Sequence, residues 1–532
     1  MVRRYGGLLY PILFAASLVL GIAARGVGQY EGADLALVTG VVALIAAVAL
    51  ALMLVIMRLI DKSDRAEQLA ALLAMIVVAW FFFYSPAQRA ATAVTWRFSR
   101  PILLVPLGVL ASVAIIAWLF RQSLPRLVAI NSFMTRFALF LVAVVVAQGV
   151  QARFGRPDKA KASTLVRQLE APVRVSGPVL SERNTPKRDI YLIVLDGHLN
   201  SQRLREVLQF DNAPFEDSLR ALGFVLPRTM QSNYTQTILS MPSLLNSTLL
   251  TQLSKDAGVD NASYVLPKYL VENNRTARFL KTQGYKYVLI PSAWWTATQQ
   301  SPIADVRFNA RPHFDLRRAI ISTELRRAVL KSSLIRSLPG TDVDALYDVR
   351  AMAALRGMPA DTTAAFVFAH FLLPHIPYYL DEQCRTIARP IVPGKEGVVA
   401  DRGRAAYIAQ LRCVDRMVLD AVTTLLEDSR PEPLILIVGD HGSRFADPFF
   451  MSHPDSVSVA FIRERFGAFG AFHLPAGGNS AFTESVTLVN VMGNVLRYYF
   501  NADLPMSTDT MYVSGEMPFR FYPVDSTGYL RR

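Results

Sequence analysis

The first 151 residues are too apolar to fold in water as an ordinary core, and this constrains the chain more than anything else in it. Five runs approach the roughly 20 residues a helix needs to cross a bilayer. They lie at 6–24, 36–60, 68–85, 101–120 and 131–150, the last with Arg136 near its start. Lipid offers no hydrogen bonds to a backbone, so segments of this kind are expected as helices. A cleaved signal peptide is excluded for the first run, because four more apolar runs follow and no small-residue cleavage site stands out.

Loop charges orient the bundle. Arg3, Arg4, Arg58, Lys62, Arg65, Arg121 and Arg126 fall on one side; Arg25, Arg89, Arg97 and Arg100 fall on the other. The richer side is expected to be cytoplasmic, which leaves everything beyond residue 151 on the far side after five crossings. The chain carries a net charge of +14, and the exported part contributes half of it. A basic domain beside a membrane suits anionic lipid headgroups or glycans. Nucleic acid is excluded as a partner by the topology. The only cysteines, Cys384 and Cys413, both fall in the exported part. In an oxidising compartment such a pair is expected as a structural disulfide.

Residues 152–189 are polar, basic and broken by proline and glycine, and they read as a linker. A short amphipathic helix over 162–170 would lie along the membrane surface. Beyond the linker, apolar runs alternate with helical patterns. "DIYLIVLDGH" (189–198), "TAAFVFAHFLLPH" (363–375) and "PLILIVGDHG" (433–442) read as strands buried on both faces of a parallel sheet. A helix, a glycine stop and a strand are expected over 277–292, and a long helix over 407–429 has apolar residues at 411, 414, 418, 422 and 425. The alternation argues for one α/β domain over 190–515, followed by a surface tail or edge element at 516–532.

Two of these strands end in acids. Asp196 precedes a glycine and could be a plain turn residue. Asp440 repeats the arrangement with His441 beside it, and oxygen and nitrogen donors at adjacent strand ends suit a divalent cation such as zinc, manganese or magnesium. His375 lies in a proline-bounded loop past its strand and is favoured over His370 as functional. His453, twelve residues after His441, is the weaker candidate. The uncharged run "QSNYTQTILSMPSLLNS" (231–247) resembles a helix start, with Pro242 placed in its first turn. Thr237 there could be a nucleophile, since metal coordination lowers a hydroxyl's pKa. N-capping by one of the run's hydroxyls explains the residues equally well.

With those motifs assembled, the chain resembles the membrane-anchored branch of the alkaline phosphatase and sulfatase superfamily, whose members include lipid A phosphoethanolamine transferases and lipoteichoic acid synthases. "YLIVLDG", "NYTQTILSMP", "FAHFLLPHIP" and "VGDHG" carry the resemblance. It implies a five-helix transmembrane bundle (1–151), a linker (152–189) and a sulfatase-like α/β domain with a mostly parallel sheet. It further implies metal ligands Asp196, Thr237, Asp440 and His441, with Thr237 as nucleophile and His375 binding the phosphoryl group or a second metal. The implied protein sits in a bacterial inner membrane with its domain in the periplasm. It would move a phosphoethanolamine or phosphoglycerol group from a phospholipid to a glycan or lipid acceptor. The sequence departs from the pattern in having aspartate at 196, one possible disulfide, and "SRFADPFF" where a glutamate-containing continuation is usual. A sulfatase or phosphodiesterase-type hydrolase is the alternative, with Ser240 in "SMPSL" at the place of the oxidised residue but Leu244 at the place of the arginine. A non-catalytic membrane scaffold is the third possibility.

Overall fold

A computed structural model describes residues 8–25, 32–94, 101–154, 162–177, 187–293, 298–308, 325–326, 329–330, 333, 346–358, 363–392, 400–482, 484–525 and 527–531. The chain forms two compact units. One comprises Met1–Pro157 with Phe314–Val343; the other comprises Asp158–His313 with Asp344–Arg532. The segment inserted at 314–343 therefore leaves the domain expected to be continuous over 190–515. Its Leu325 and Val329 are buried in the same apolar cluster as the N-terminal helices, and Arg326 Nε donates to Asp34 Oδ1 at 2.7 Å.

The N-terminal unit contains helices α1 (Tyr10–Arg25), α2 (Gly32–Ile60), α3 (Asp64–Val94), α4 (Pro101–Phe120) and α5 (Leu124–Phe154). Four stretches are long and apolar enough to cross a membrane: Asp34–Ile60, Asp64–Tyr84, Leu103–Phe120 and Leu124–Val150. The expected first span differs. Helix α1 has 16 residues and rises only ~24 Å, short of the ~30 Å hydrocarbon core; residues 6–7 of the expected span lie outside the described residues. Arg136 falls in the middle of α5, because the helix begins seven residues earlier than its apolar run. Many large apolar side chains face outward, with Leu44 at 63%, Leu110 at 65% and Phe140 at 63% exposure. Such a surface is tolerable only against lipid or another apolar partner.

The second unit is built on a six-stranded sheet. Its strands are β1 (Ile190–Leu195), β2 (Lys286–Ile290), β3 (Val306–Arg307), β4 (Ala365–Phe371), β5 (Leu434–Gly439) and β6 (Gly470–His473), in the order β3-β2-β4-β1-β5-β6. All pairings are parallel except β5 with β6. Both β1 and β5 are buried at every position, which accounts for their unbroken apolar sequences.

Four helices of this unit bear on the site or on the sequence patterns. The expected amphipathic helix is α6 (Thr164–Glu170), but its apolar face is not on a membrane surface. Leu165, Val166 and Leu169 are buried in the domain's main core, and Ser163 Oγ, beside its N-terminus, donates to Asp256 Oδ2 at 2.6 Å. Helix α7 (Thr237–Asn246) is buried along its whole length. In α8 (Ala400–Asp428), Leu411, Val414, Val418, Val422 and Leu425 are fully buried, following the periodicity. Helix α9 (Val459–Phe466) precedes β6. Cys384 and Cys413 form a disulfide with their Cα atoms 5.2 Å apart. In the C-terminal segment Phe519 lies in the main core, and Tyr512–Val513 pairs with Tyr522–Pro523.

Candidate metal and nucleophile site

Strand register builds the centre of the site. Leu195 of β1 lies opposite Gly439 of β5, so the next residue on each strand, Asp196 and Asp440, emerge side by side. Gly197 then turns the chain at φ +76°, and its N–H donates to Asp440 Oδ1 at 3.0 Å. A side chain other than hydrogen is strained at that φ. Gly442 answers a different demand, because a Cβ there would lie 2.1 Å from the Glu464 carbonyl oxygen.

Thr237 is the first residue of α7, with Gln236 at the N-cap. Pro242 is therefore the sixth helical residue, in the second turn and not the first. The C-terminal segment braces the approach to this helix. Gln236 Nε2 donates to Ser514 Oγ at 3.0 Å and to the Gly515 carbonyl at 2.8 Å, and Thr235 Oγ1 donates to the Ser514 carbonyl at 3.2 Å. The Thr237 hydroxyl is thereby set 3.1 Å from His441 Nε2 and 3.4 Å from Asp196 Oδ2.

Asp196, Asp440 and His441 are all buried, and one donor atom from each falls within 4.8 Å of the others. Asp196 Oδ1 and Asp440 Oδ2 are buried with no hydrogen-bond partner. Burial, and then Asp196 opposite it, push the Asp440 carboxyl well above the usual range. Burial raises the Asp196 carboxyl, but the surrounding His375, His370 and His441 together bring it below its usual range. His441 is driven well below the ordinary imidazole value by burial and then by Arg465, so it is neutral. Two buried carboxylates with orphaned oxygens, a neutral imidazole and a hydroxyl are a donor set that fits a divalent cation.

The remaining histidines divide. His375 has its ring 6.3 Å from that of His441, and its Nδ1 is 2.6 Å from the Ile376 carbonyl. A carbonyl only accepts, so Nδ1 carries the proton and Nε2 holds a lone pair in the neutral ring. Burial lowers its pKa, which favours that form. His370, ranked lower from sequence, is also brought in: it is fully buried on β4 with Nε2 3.7 Å from Asp196 Oδ2, and its Nδ1 is 2.8 Å from Thr298 Oγ1. His453 is not brought in. Its ring nitrogens engage Asp447 Oδ2 at 2.7 Å and Ser452 Oγ at 3.2 Å. Ser240 turns toward the preceding loop, with Oγ 3.2 Å from Ser232 Oγ and 3.3 Å from the Tyr234 carbonyl.

Two arginines at the site were not singled out from sequence. Arg465 on α9 is 5% exposed; it donates through Nε to the Thr235 carbonyl at 2.8 Å, through Nη1 to the Gly442 carbonyl at 2.6 Å and through Nη2 to His441 Nε2 at 2.9 Å. A guanidinium only donates, so His441 Nε2 bears a lone pair, which is the tautomer a metal ligand requires. Burial and the neighbouring Arg444 push Arg465 down to about 10, still charged at neutral pH. Arg444 lies three residues past His441, and burial lowers its pKa while Tyr378 and Asp196 oppose the change.

No family model matches the chain, and no curated relative matches it. Solved structures similar to it include the C-terminal periplasmic domain of EcEptC from Escherichia coli in complex with zinc (12% identity, TM-score 0.43, 65% of this chain and 94% of that one). The integral membrane protein lipooligosaccharide phosphoethanolamine transferase A from Neisseria meningitidis is similar over 97% of this chain and 98% of its own (13% identity, TM-score 0.40). A phosphonate monoester hydrolase of Agrobacterium radiobacter matches over 62% and 80% (10% identity, TM-score 0.40). At these identities the likeness is one of fold.

Proposed function

We propose that this chain is a metal-dependent membrane transferase that moves a phosphoethanolamine or phosphoglycerol group from a phospholipid to a glycan or lipid acceptor, by way of a phosphorylated Thr237. The observation that carries the proposal is the Thr237 hydroxyl, 3.1 Å from His441 Nε2 and 3.4 Å from Asp196 Oδ2, beside two buried carboxylate oxygens that lack donors. A divalent cation held by Asp196, Thr237, Asp440 and His441 would supply charge neutralisation at phosphorus and a lowered pKa for the threonine hydroxyl.

This chain's own groups do the rest. Thr237 Oγ attacks the phosphorus of the lipid phosphodiester and gives up its proton to an unprotonated imidazole nitrogen, for which His375 Nε2 is suited; the bond to the diacylglycerol oxygen breaks, and that oxygen takes the proton from the same imidazole as it leaves. The headgroup phosphate is now an ester of Thr237. An acceptor hydroxyl then attacks the same phosphorus, loses its proton, and restores the threonine. His375, with Nε2 unprotonated, is suited to receive the acceptor's proton. Arg465, fixed by three hydrogen bonds, faces charge that develops on the phosphoryl oxygens without having to reorganise. The apolar helices keep the domain on the membrane that holds its donor, in a bacterial inner membrane with the domain in the periplasm, which raises effective concentration.

The test is mass spectrometry of the intact protein after incubation with phospholipid vesicles and zinc. An adduct localised to Thr237, with release of diacylglycerol, is the expected result. An unmodified Thr237 together with formylglycine at position 240 would replace the transferase with the sulfatase.

A further inference from the structure

We infer that Gln410 is a positioning residue for the transfer, acting through His375. The inference rests on the role given to His375 in the transferase reading. Helix α8 buries a stripe that includes Leu411 and Val414, and Gln410 is a polar side chain set into that stripe, 0% exposed. Its one amide makes four hydrogen bonds to the loop after β4. Oε1 accepts from the N–H of Tyr379 at 2.9 Å and of Leu380 at 3.2 Å. Nε2 donates to the carbonyls of Pro374 at 3.1 Å and His375 at 3.2 Å. An N–H only donates and a carbonyl only accepts, so the amide has one orientation here, and every donor and acceptor it offers is used. Pro374 and Pro377 have no N–H, which leaves the loop fewer backbone donors of its own.

The hold reaches the imidazole in two short steps. Gln410 bonds the His375 carbonyl, and the next carbonyl, that of Ile376, accepts from His375 Nδ1 at 2.6 Å. The ring is thereby fixed to a stretch of backbone that Gln410 fixes to α8. One turn earlier on the same helix, Tyr407 donates to the Gly197 carbonyl at 3.0 Å and accepts from Leu199 N at 3.2 Å, gripping the turn after Asp196. Three helical residues rise only ~4.5 Å, so a single rigid element sets the spacing between that turn and His375. The two are in contact, since a Cβ on Gly197 would lie 3.7 Å from His375 Cα. Without the amide, the disulfide from Cys413 on α8 would still tether the loop, but at Cys384, well past Leu380. That tether attaches the loop without aiming the ring. A reacting group displaced by about 1 Å loses on the order of a hundredfold in rate.

The experiment is a double-mutant cycle in the full chain, in phospholipid vesicles with zinc, reading the rate of Thr237 adduct formation. Gln410→Met keeps the side chain's length and removes its hydrogen bonds. It should slow adduct formation by about a hundredfold in the otherwise unaltered chain, but by less than about twofold once His375→Ala is present, because the residue acts through that ring. Amide hydrogen exchange over 375–380, measured without zinc, should quicken by roughly tenfold in Gln410→Met. If Gln410→Met does not fold, Gln410→Glu takes its place; it keeps the acceptor for Tyr379 and Leu380 and should show the same non-additivity with a smaller loss. Equal losses in both backgrounds would make Gln410 a structural residue of the core and overturn the inference. So would an unchanged rate, or unchanged exchange, in Gln410→Met. A full rate in His375→Ala overturns the role of His375, and this inference with it, while leaving the transferase standing. Absence of any adduct in the unaltered chain overturns the transferase reading, and this inference with it.

Discussion

The two units use the same apolar residues against opposite surroundings. In the N-terminal unit Leu44, Leu110 and Phe140 face outward, while polar side chains are drawn inward and paired, as Glu67 is with Arg58 and Asp34 with Arg326. In the second unit every residue of β1 and β5 is buried, and the polar groups gather where those strands stop. There, two carboxylate oxygens are enclosed without donors. The pairing of those two N-terminal acids and the lack of pairing at these two carboxylate oxygens have different meanings. A satisfied buried pair holds helices in place, whereas an unsatisfied buried acid is costly for folding and persists where a ligand compensates it.

The largest effect separating structure from chemistry should come from Thr237→Ala. Activity should fall by on the order of a thousandfold or more, with unfolding temperature nearly unchanged, because in the proposed mechanism the hydroxyl is a reacting group. Thr235→Ala, two residues away, should instead lower the unfolding temperature while leaving the Thr237 adduct detectable, since its hydroxyl ties the loop to Ser514. Loss of the adduct in Thr235→Ala and retention of activity in Thr237→Ala would reverse the assignment.

Next comes metal removal. A cation bound only by the folded state at about 100 Kd adds ~2.7 kcal/mol, so a chelator should lower the unfolding temperature of the second unit by roughly 5 °C, with zinc or manganese restoring it. Asp440→Asn should abolish that chelator response and show little further loss, because the repulsion with Asp196 is relieved as the ligand is removed. Calorimetry with and without chelator reads both, and identical traces for the unaltered protein would remove the metal from the account.

The smallest effect belongs to the other unit. Arg58→Ala removes the guanidinium paired with the buried Glu67 carboxylate and should cost about 1 kcal/mol, the exposure of the arginine discounting the pair. It should leave the chelator-sensitive transition where it was. A shift in that transition would mean that the two units do not unfold independently.

Much of this was legible in the sequence, for identifiable reasons. The acids at 196 and 440 stand out because each ends an apolar run too continuous to be anything but a strand buried on both faces, and parallel register then brings them together. Arg465 could not be found that way, since "RERF" on a helix reads as a solvated face and only the packing of α9 beside the loop after β5 turns this arginine inward. The helix at 164–170 shows the limit of periodicity. An amphipathic stripe says that one face will be buried, but not whether lipid or protein will cover it; Leu165, Val166 and Leu169 found the protein core. The first apolar run likewise signals a helix without settling whether that helix is long enough to span.

The brace on the nucleophile loop also sets a schedule. Thr235 is tied to Ser514, 279 residues further along the chain. At about 5–20 residues per second of synthesis, the two partners are made roughly 15–60 s apart. For that interval the loop carrying Thr237 lacks its support, so the order in which the parts are made leaves the site incomplete until Ser514 has been added.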